Sequence, residues 1–560
     1  MTDPSPEGSR SEQAPPTDRP PATPPDRPDT PPATPPVDRW LTVMVVLAVV
    51  AGTVARFWPR SDLWLDEALS VNIARLPIGD IGEALRRDGH PPLYYLLLHV
   101  WTALGGTGDW WVRALSGLIS LVGYPLVYLA GTRVARRHGT DGLGQRRLGL
   151  IALAVYAVLP FGVRYGAETR MYSLLMVLVL AGYLLVDDLL TGRRRRGGVV
   201  LAAVGVALVA GALLWSHYWS MWLVAGAGLL ALWRLWRERE PDRRRGALAV
   251  VAGLVVGGIL FLPWVPSLLY QSSHTGTPWG KTFRPATMLV VTIVDFAGGS
   301  FSESQLASYL LVVLIALAGF GAVAAGVVTV RGRVDGRIRN ELVVMGLTLA
   351  LAWAVSFATS NTFASRYTAV IFPLFVLCVA AGIAVARTPR ATAVLLAVVV
   401  VAGLFSSTVE VFRERTQAGA ATDAVAADVA ATPPGGPAVV LACPDQLAPS
   451  VERALAGRMS DPPEVIPFPR GGDPGFVDWV DYGARNRAAD AAAFLQQVGG
   501  RIPADATVYV AINTSYLTFE DKCEALLAAL GVNRDGTELT SGNADDFYEA
   551  MGLWVFRPRS

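Results

Sequence analysis

Charge is scarce in this chain. Only 17% of its 560 residues are Asp, Glu, Lys or Arg and 52% are hydrophobic, whereas ordinary soluble domains carry about 25% charge. A water-soluble globule is thereby excluded for the bulk of the sequence. Cysteine is scarcer still, and three residues rule out a cysteine-based metal cluster. Cys378 falls in an apolar run and reads as a small core residue. Cys443 and Cys523 fall in the polar last part of the chain, where two fates are open. They pair if that part is extracytoplasmic, or they remain two buried thiols. No basic segment leads directly into an apolar core with a small-residue cleavage site, so the first apolar run is expected to be a retained helix. The net charge of +2 carries no information about partners, and no nucleic-acid partner is expected.

What is present in quantity is apolar sequence in runs near twenty residues, the length that spans a bilayer. The expected spans are 40–57, 112–132, 148–163, 171–190, 198–215, 218–235, 247–264, 306–330, 342–359, 368–386 and 391–408. Ahead of them, residues 1–38 are rich in Pro, Asp, Thr and Arg and hold too little apolar surface to fold, so a disordered tail is expected. Arginine-rich loops at 133–147, 192–198, 234–245, 331–340 and 386–390 alternate with loops that carry no arginine cluster. Short basic loops stay on the cytoplasmic side. That parity expects a cytoplasmic amino terminus, eleven spans, and an extracytoplasmic carboxyl terminus in the plasma membrane. Residues 90–105, "HPPLYYLLLHVWTALG", are then a juxtamembrane or re-entrant helix opening at the proline pair. A twelfth span is the alternative.

The outward loops collect the ionisable residues. Loop 58–111 holds Asp66, Glu67, Asp88 and His90; "VRYGAETRMYS" holds Arg164, Glu168, Arg170 and Tyr172. "WSHYWS" adds His217, and "TSNTFASRYTAV" adds Arg366 and Tyr367 at the mouth of a span. Ionisable groups at the edge of an apolar bundle are costly and mark a site by default. Asp66, beside a second carboxylate and next to Trp64-Leu65, suits a general base for an acceptor hydroxyl. The bland alternative is that the acids only solvate a helix end. Arg164, Arg170 and Arg366 suit a phosphate, which guanidinium forks grip bidentately; otherwise they snorkel to headgroups or pair with Glu168. His90 and His217 leave a divalent metal open, although no HxxxH spacing occurs. The long loop 265–305, with His274, Trp279, Lys281 and Arg284, reads either as a lid or as a plain surface loop.

Residues 410–560 change character. "PAVVLACP" and "ATVYVAINTSY" read as buried strands, "APSVERALAG" and "FEDKCEALLAALG" as amphipathic helices, and "FYEAMGLWVFRP" as a closing strand. A small extracytoplasmic α/β domain is expected, binding acceptor or merely stabilising the fold.

The acidic pair after the first span, "DGHPPLYY" and "VRALSGLISLVGYPLVYLA" together resemble the GT-C superfamily of integral-membrane glycosyltransferases. The nearest resemblance is to family 39, the protein O-mannosyltransferase-like group with its RgtA/B/C/D-like and aminoarabinose-transferase relatives. Asp88-Gly-His90-Pro91-Pro92-Leu93 resembles an Asp-x-His-Pro-Pro-Leu element, and Arg170-Met-Tyr172 and Arg366-Tyr367 resemble arginine–tyrosine elements of the bacterial branch. The likeness covers about residues 40–386. It implies a polyprenyl-phosphate sugar donor, mannose first among sugars, handled on the outer face. It implies Asp66 as catalytic base, Glu67 as a residue orienting the acceptor, and basic groups that hold the departing phosphate. The family follows His-Pro-Pro-Leu with a small residue and Lys, where this chain has Tyr94-Tyr95, and it carries a central lumenal domain for which 265–305 is too short. These departures weigh against a protein acceptor, while an envelope glycan, a lipid and a protein all stay open as acceptor. No DxD element or soluble nucleotide-sugar region is visible. The rival readings are a flippase of lipid-linked sugar, which predicts polar groups through the whole depth of the bundle, and a non-catalytic envelope-assembly protein.

Overall fold

The computed structural model describes residues 36–559 except 138, 193, 276–283, 299–337, 360–362, 385, 387 and 432–435. The expected span 306–330, residues 1–35 of the tail, Trp279 and Lys281 lie outside the described residues.

Helix α1 (Pro36–Arg56) opens the bundle, and three short helices follow: α2 (Leu65–Arg75), α3 (Ile78–Asp88) and α4 (Leu93–Gly105). The chain continues through α5 (Asp109–Arg137), α6 (Gly142–Val158), α7 (Pro160–Gly166), α8 (Tyr172–Leu190), α9 (Arg196–Ser216) and α10 (Ser220–Arg237). Helix α11 (Pro241–Phe261) runs through a short 3-10 turn into α12 (Val265–His274); then come α13 (Pro285–Phe296), α14 (Arg339–Thr359), α15 (Phe372–Ala384) and α16 (Pro389–Phe412). Among the described residues six stretches are long and apolar enough to cross a membrane: α1, α5, α8, α9, the α11–α12 stretch and α16. The pair α6–α7, bent by 60°, makes a seventh. Helices α10 and α14 fall where spans 218–235 and 342–359 were expected.

Three expected boundaries move. Residues 365–370 form a 3-10 turn ahead of α15, which is only 13 residues long, so Arg366 and Tyr367 are held outside the helix. The stretch 265–305 is helical at both described ends, not a simple loop. Helix α13 seals its C-terminal end with Phe296, whose ring lies 4.8 Å from Phe161, 5.1 Å from Phe372 and 4.9 Å from Phe375. Its apolar run is too short to register as a span. The third change is the bend within 148–163. Pro160 has no N–H to give the Tyr156 carbonyl, and the helix breaks at Leu159. Arg56, only 1% exposed, fills the gap: its guanidinium donates to the carbonyls of Ala157 (2.8 Å), Tyr156 (3.2 Å) and Gly52 (2.7 Å). In an apolar interior such a donor is required, because an unpaired carbonyl has no water to turn to. Beyond the bend, α7 holds Arg164 and leads into the segment that carries Glu168 and Arg170.

After α17 (Ala418–Ala431), the C-terminal domain is built on a five-stranded sheet of order β2-β1-β3-β5-β4, with β1 (Ala438–Cys443), β2 (Glu464–Pro467), β3 (Thr507–Ile512), β4 (Arg534–Thr540) and β5 (Gly552–Pro558). Strand β1 is parallel to β2 and β3, whereas β5 is antiparallel to β3 and β4. Helices α18 (Ala448–Arg458), α19 (Tyr482–Arg487), α20 (Ala491–Val498) and α21 (Lys522–Gly531) complete it. Val440, Ala442, Tyr509 and Ala511 face Val425, Val451 and Leu455 on one side, while Val439, Leu441, Val508 and Val510 face Phe468 and Phe494 on the other. Cover on both faces explains why β1 and β3 are continuous apolar runs, each large side chain contributing roughly 1.5–3 kcal/mol of burial. Strand β4, nearly all exposed and polar, is an edge that the sequence pattern does not reveal. Cys443 and Cys523 form a disulfide, S–S 2.04 Å, joining the end of β1 to the start of α21. Cys378 is a buried free thiol.

Candidate active site

Asp66 and Glu67 open α2, and the helix separates them. Neighbouring helical residues point about 100° apart and do not face each other. Glu67 turns into the core and is wholly buried. Arg113 grips it from α5, Nε to Oε1 at 2.8 Å and Nη2 to Oε2 at 2.5 Å, and the Thr169 N–H donates to it at 2.9 Å. Burial alone would raise the Glu67 carboxyl, but Arg113, helped by Arg415 and Thr169, holds it below its ordinary value. The like charge expected beside Asp66 is therefore turned away and neutralised.

Asp66 faces a cavity. Its Oδ2 lies 3.7 Å from Arg170 Nη2 and 3.7 Å from Arg366 Nη1, and it accepts no hydrogen bond although the atom is buried. Arg170 is fixed by donating to Ser70 Oγ (3.1 Å), the Tyr95 hydroxyl (3.4 Å) and His90 Nε2 (3.1 Å). A guanidinium only donates, so His90 Nε2 accepts and the ring proton sits on Nδ1, donated to Asp88 Oδ2 at 2.8 Å. Tyr95 donates to the same carboxylate oxygen at 3.3 Å. The Asp88-x-His90 spacing thus builds one chain from Asp88 through His90 to Arg170. Arg366 donates to the Tyr548 hydroxyl at 3.3 Å and lies over the Trp64 ring.

Two adjoining cavities meet at Asp88, His90, Thr275 and Tyr367. The upper one, about 370 Å³, holds Asp66, Arg170 and Arg366 beneath the C-terminal domain. The lower one, about 230 Å³, reaches among α10, α12 and α14 past His217, with Trp222, Leu268 and Val355 on its walls. His217 accepts from the Trp219 N–H at 3.1 Å, and its ring lies 4.9 Å from Tyr367 and 6.2 Å from His90.

Arg164, Glu168 and Tyr172 do not line either cavity. Glu168 accepts from Arg415 at 2.9 Å and lies 3.7 Å from Arg164, which also reaches Glu410 at 3.4 Å. This cluster ties the α7 bend to the end of α16. Tyr172 is buried one layer back, its ring 4.6 Å from Tyr165. Sequence reasoning named Trp64 and Tyr95 only as neighbours of the site, and passed over Ser70, Arg113 and every C-terminal residue at the cavity. For the last group a signal existed: Asn513–Leu517 directly follows a buried strand, where binding loops sit.

A metal does not fit this donor set. Asp88 and His90 are spent on each other, Asp66 faces two guanidinium groups, and among the described residues no three of His, Cys, Asp and Glu converge. At the opposite end of the bundle lies a separate ionic cluster. There Arg137 pairs with Glu341 and Asp187, Tyr183 donates to Glu341, and Arg133 pairs with Asp188.

Neither a protein-family model nor a curated protein matches the chain. Solved structures do. ArnT from Cupriavidus metallidurans, bound to undecaprenyl phosphate, aligns over 92% of this chain and 98% of its own, at 15% identity and a TM-score of 0.52. Its apo state aligns over the same shares at 15% identity, with a TM-score of 0.53. The fold is the GT-C fold. An Archaeoglobus fulgidus oligosaccharyltransferase tethered to an acceptor peptide is similar over 93% of this chain and 74% of its own, at 10% identity and a TM-score of 0.47. In this GT-C fold the upper cavity lies where the helical bundle meets the C-terminal α/β domain.

Proposed function

We propose that the chain is a glycosyltransferase that moves a sugar from a polyprenyl-phosphate donor to a hydroxyl of an extracytoplasmic envelope acceptor, with Asp66 as general base. The observation that carries this reading is the buried Asp66 Oδ2, which has no hydrogen-bond donor and sits between two guanidinium groups beside two joined cavities. A carboxylate oxygen buried without a donor is costly, and an acceptor hydroxyl would supply one. The donor class is supported by ArnT, which has this fold and binds undecaprenyl phosphate. Mannose and the hexosyl class come from the family 39 resemblance, and the envelope setting from a composition heavy in Ala, Arg, Gly and Val.

In the proposed step the acceptor oxygen forms a bond to the anomeric carbon as its proton passes to Asp66. The bond from that carbon to the phosphate oxygen breaks, and its electron pair leaves with the phosphate. A single displacement inverts the anomeric centre. Phosphate is a good leaving group, so no second carboxylic acid is needed, unlike in glycosidases. Arg170 and Arg366 stabilise the charge that builds on it. The chain from Asp88 through His90 keeps Arg170 in place, and Trp222, Leu268 and Val355 give the lipid an apolar wall in a lower cavity of mixed lining. Glu67 is assigned a positioning role through Arg113.

The sidedness follows the same reading. The C-terminal domain and the cavity face the exterior of the plasma membrane, which the Cys443–Cys523 disulfide supports because such bonds persist in oxidising compartments. Leu175, Met176 and Leu180 of α8, all buried and apolar, follow Tyr172 and precede Tyr183 along the helix, and they favour an enzyme over a transport path.

The test is transfer from synthetic polyprenyl-phosphate sugars by the full chain in lipid nanodiscs. Asp66→Asn is expected to lower turnover about 10²–10⁴-fold while lowering the melting temperature less than Glu67→Gln does. Undiminished turnover in Asp66→Asn, or no turnover by the wild type with any of several donors, would overturn the reading.

A further inference from the structure

The roof of the upper cavity comes from the C-terminal domain, and its chemistry differs from that of the floor. Among the described residues the floor carries the charge: Asp66, Asp88, Arg170 and Arg366. The roof brings Gln446, Trp479, Asn513, Ser515, Tyr516 and Tyr548, with no charged side chain among the residues it contributes.

Their position follows from the sheet. Strand β1 lies between β2 and β3, and both are parallel to it. The chain leaves β1 to one side for β2 and then crosses to the other side for β3. The gap beyond the carboxyl ends of β1 and β3 is thus a topological switch point, the crevice where open α/β sheets bind ligands. Gln446 follows β1 and Asn513–Leu517 follow β3, so both loops belong to that crevice, and both line the cavity over Asp66. Trp479 is half-buried there and packs on Tyr482, ring centroids 4.9 Å apart. Tyr516 and Tyr548 are also half-buried.

We infer that this roof is the acceptor subsite and that it takes an uncharged, hydroxyl-rich ligand, a neutral sugar chain. The inference rests on the transferase reading for the acceptor's role, whereas its binding content stands apart. Rings that are part apolar and part polar suit the C–H faces of a pyranose or furanose, and amide and hydroxyl groups suit its hydroxyls. A phosphate or ammonium group on the acceptor would have to be desolvated against a roof with no opposite charge, which is unfavourable. The two arginines of the floor are engaged by Asp66 and are assigned to the donor.

The experiment uses saturation-transfer NMR on the full chain in nanodiscs, without donor. The probes are neutral trisaccharides of mannose, arabinose and galactose, together with their 6- or 5-phosphorylated counterparts. At least one neutral probe is expected to bind. Trp479→Ala should weaken it about tenfold, and Trp479→Phe should restore most of the loss. Phosphorylated probes binding as well as neutral ones, no neutral probe binding, or indifference to Trp479→Ala would each overturn the inference. Should Asp66→Asn retain turnover, the base assignment fails while the binding result stands or falls by itself.

Discussion

Asp66 and Glu67 share one turn of α2 and almost none of their surroundings. Glu67 is locked to Arg113 inside the fold, so removing its charge strands a buried guanidinium. Breaking a buried pair from one side costs about 3–5 kcal/mol. Glu67→Gln is therefore expected to lower the melting temperature of the full chain in nanodiscs, and Glu67→Leu combined with Arg113→Met to recover only part of the loss, because the Ser61 and Asp62 carbonyls and the Thr169 N–H then lose their partners. Asp66→Asn, whose guanidinium partners stand 3.7 Å away at the cavity, should lose turnover and cost less stability than Glu67→Gln. A Glu67→Gln protein that melted like wild type but lost turnover would make Glu67 a direct participant instead. The acid pair was plain in the sequence, but its division of labour was not. That division depends on which face of α2 meets α5, and Arg113 stands 46 residues away. His90 and Arg170 were legible as site residues for a similar reason in reverse: polar groups next to apolar runs are conspicuous, whereas the bond between them spans 80 residues.

The bend at Pro160 lies in the stretch that leads to Arg170, a cavity residue four positions beyond the end of α7. Arg56 takes over the two carbonyls freed there. Leaving a buried carbonyl unsatisfied costs about 1–3 kcal/mol. Arg56→Met is expected to destabilise the chain by that order for each carbonyl and to weaken donor binding, read as a higher KM. A normal melting curve would show that water reaches the gap. Gly52 permits the same contact: a Cβ there would stand 2.2 Å from the Ala157 carbonyl oxygen, so Gly52→Val should push α1 from α6 and reduce folded yield in a detergent-extraction assay. Apolar runs made α1, α5, α8, α9 and α16 legible, and strict alternation or continuous apolar stretches did the same for β1, β3 and β5. Helix α13, the α6–α7 break and strand β4 escaped because each is short, and each is stabilised by distant contacts and not by its own periodicity.

The C-terminal domain closes the site only if it stays docked on α2, and one residue sits at that junction. Glu549 is fully buried. It accepts from the Leu65 N–H at 2.6 Å, at the start of α2, from Thr416 at 2.8 Å, and from Ser450 of α18. Three parts of the chain therefore meet on one carboxyl group. Burial pushes Glu549 up to about 7 from 4.5, although those hydrogen bonds pull the other way. Burial likewise pushes Asp445, whose oxygen accepts from the Tyr482 hydroxyl beside the roof, up to about 6 from 3.8. A carboxyl raised in this way binds its proton more tightly folded than unfolded. Stability is therefore highest below the unfolded values, falls as pH rises toward the folded ones, and levels above about 7. For Glu549 the full swing is on the order of 3 kcal/mol. The melting temperature of the full chain is expected to drop between pH 5 and pH 8, together with amide protection at the start of α2 read by hydrogen exchange. Glu549→Gln cannot ionise, so it should flatten most of that slope even if its melting temperature is lower at every pH. A slope unchanged in Glu549→Gln would mean that other groups set the pH response, and that domain docking is not proton-linked at this junction.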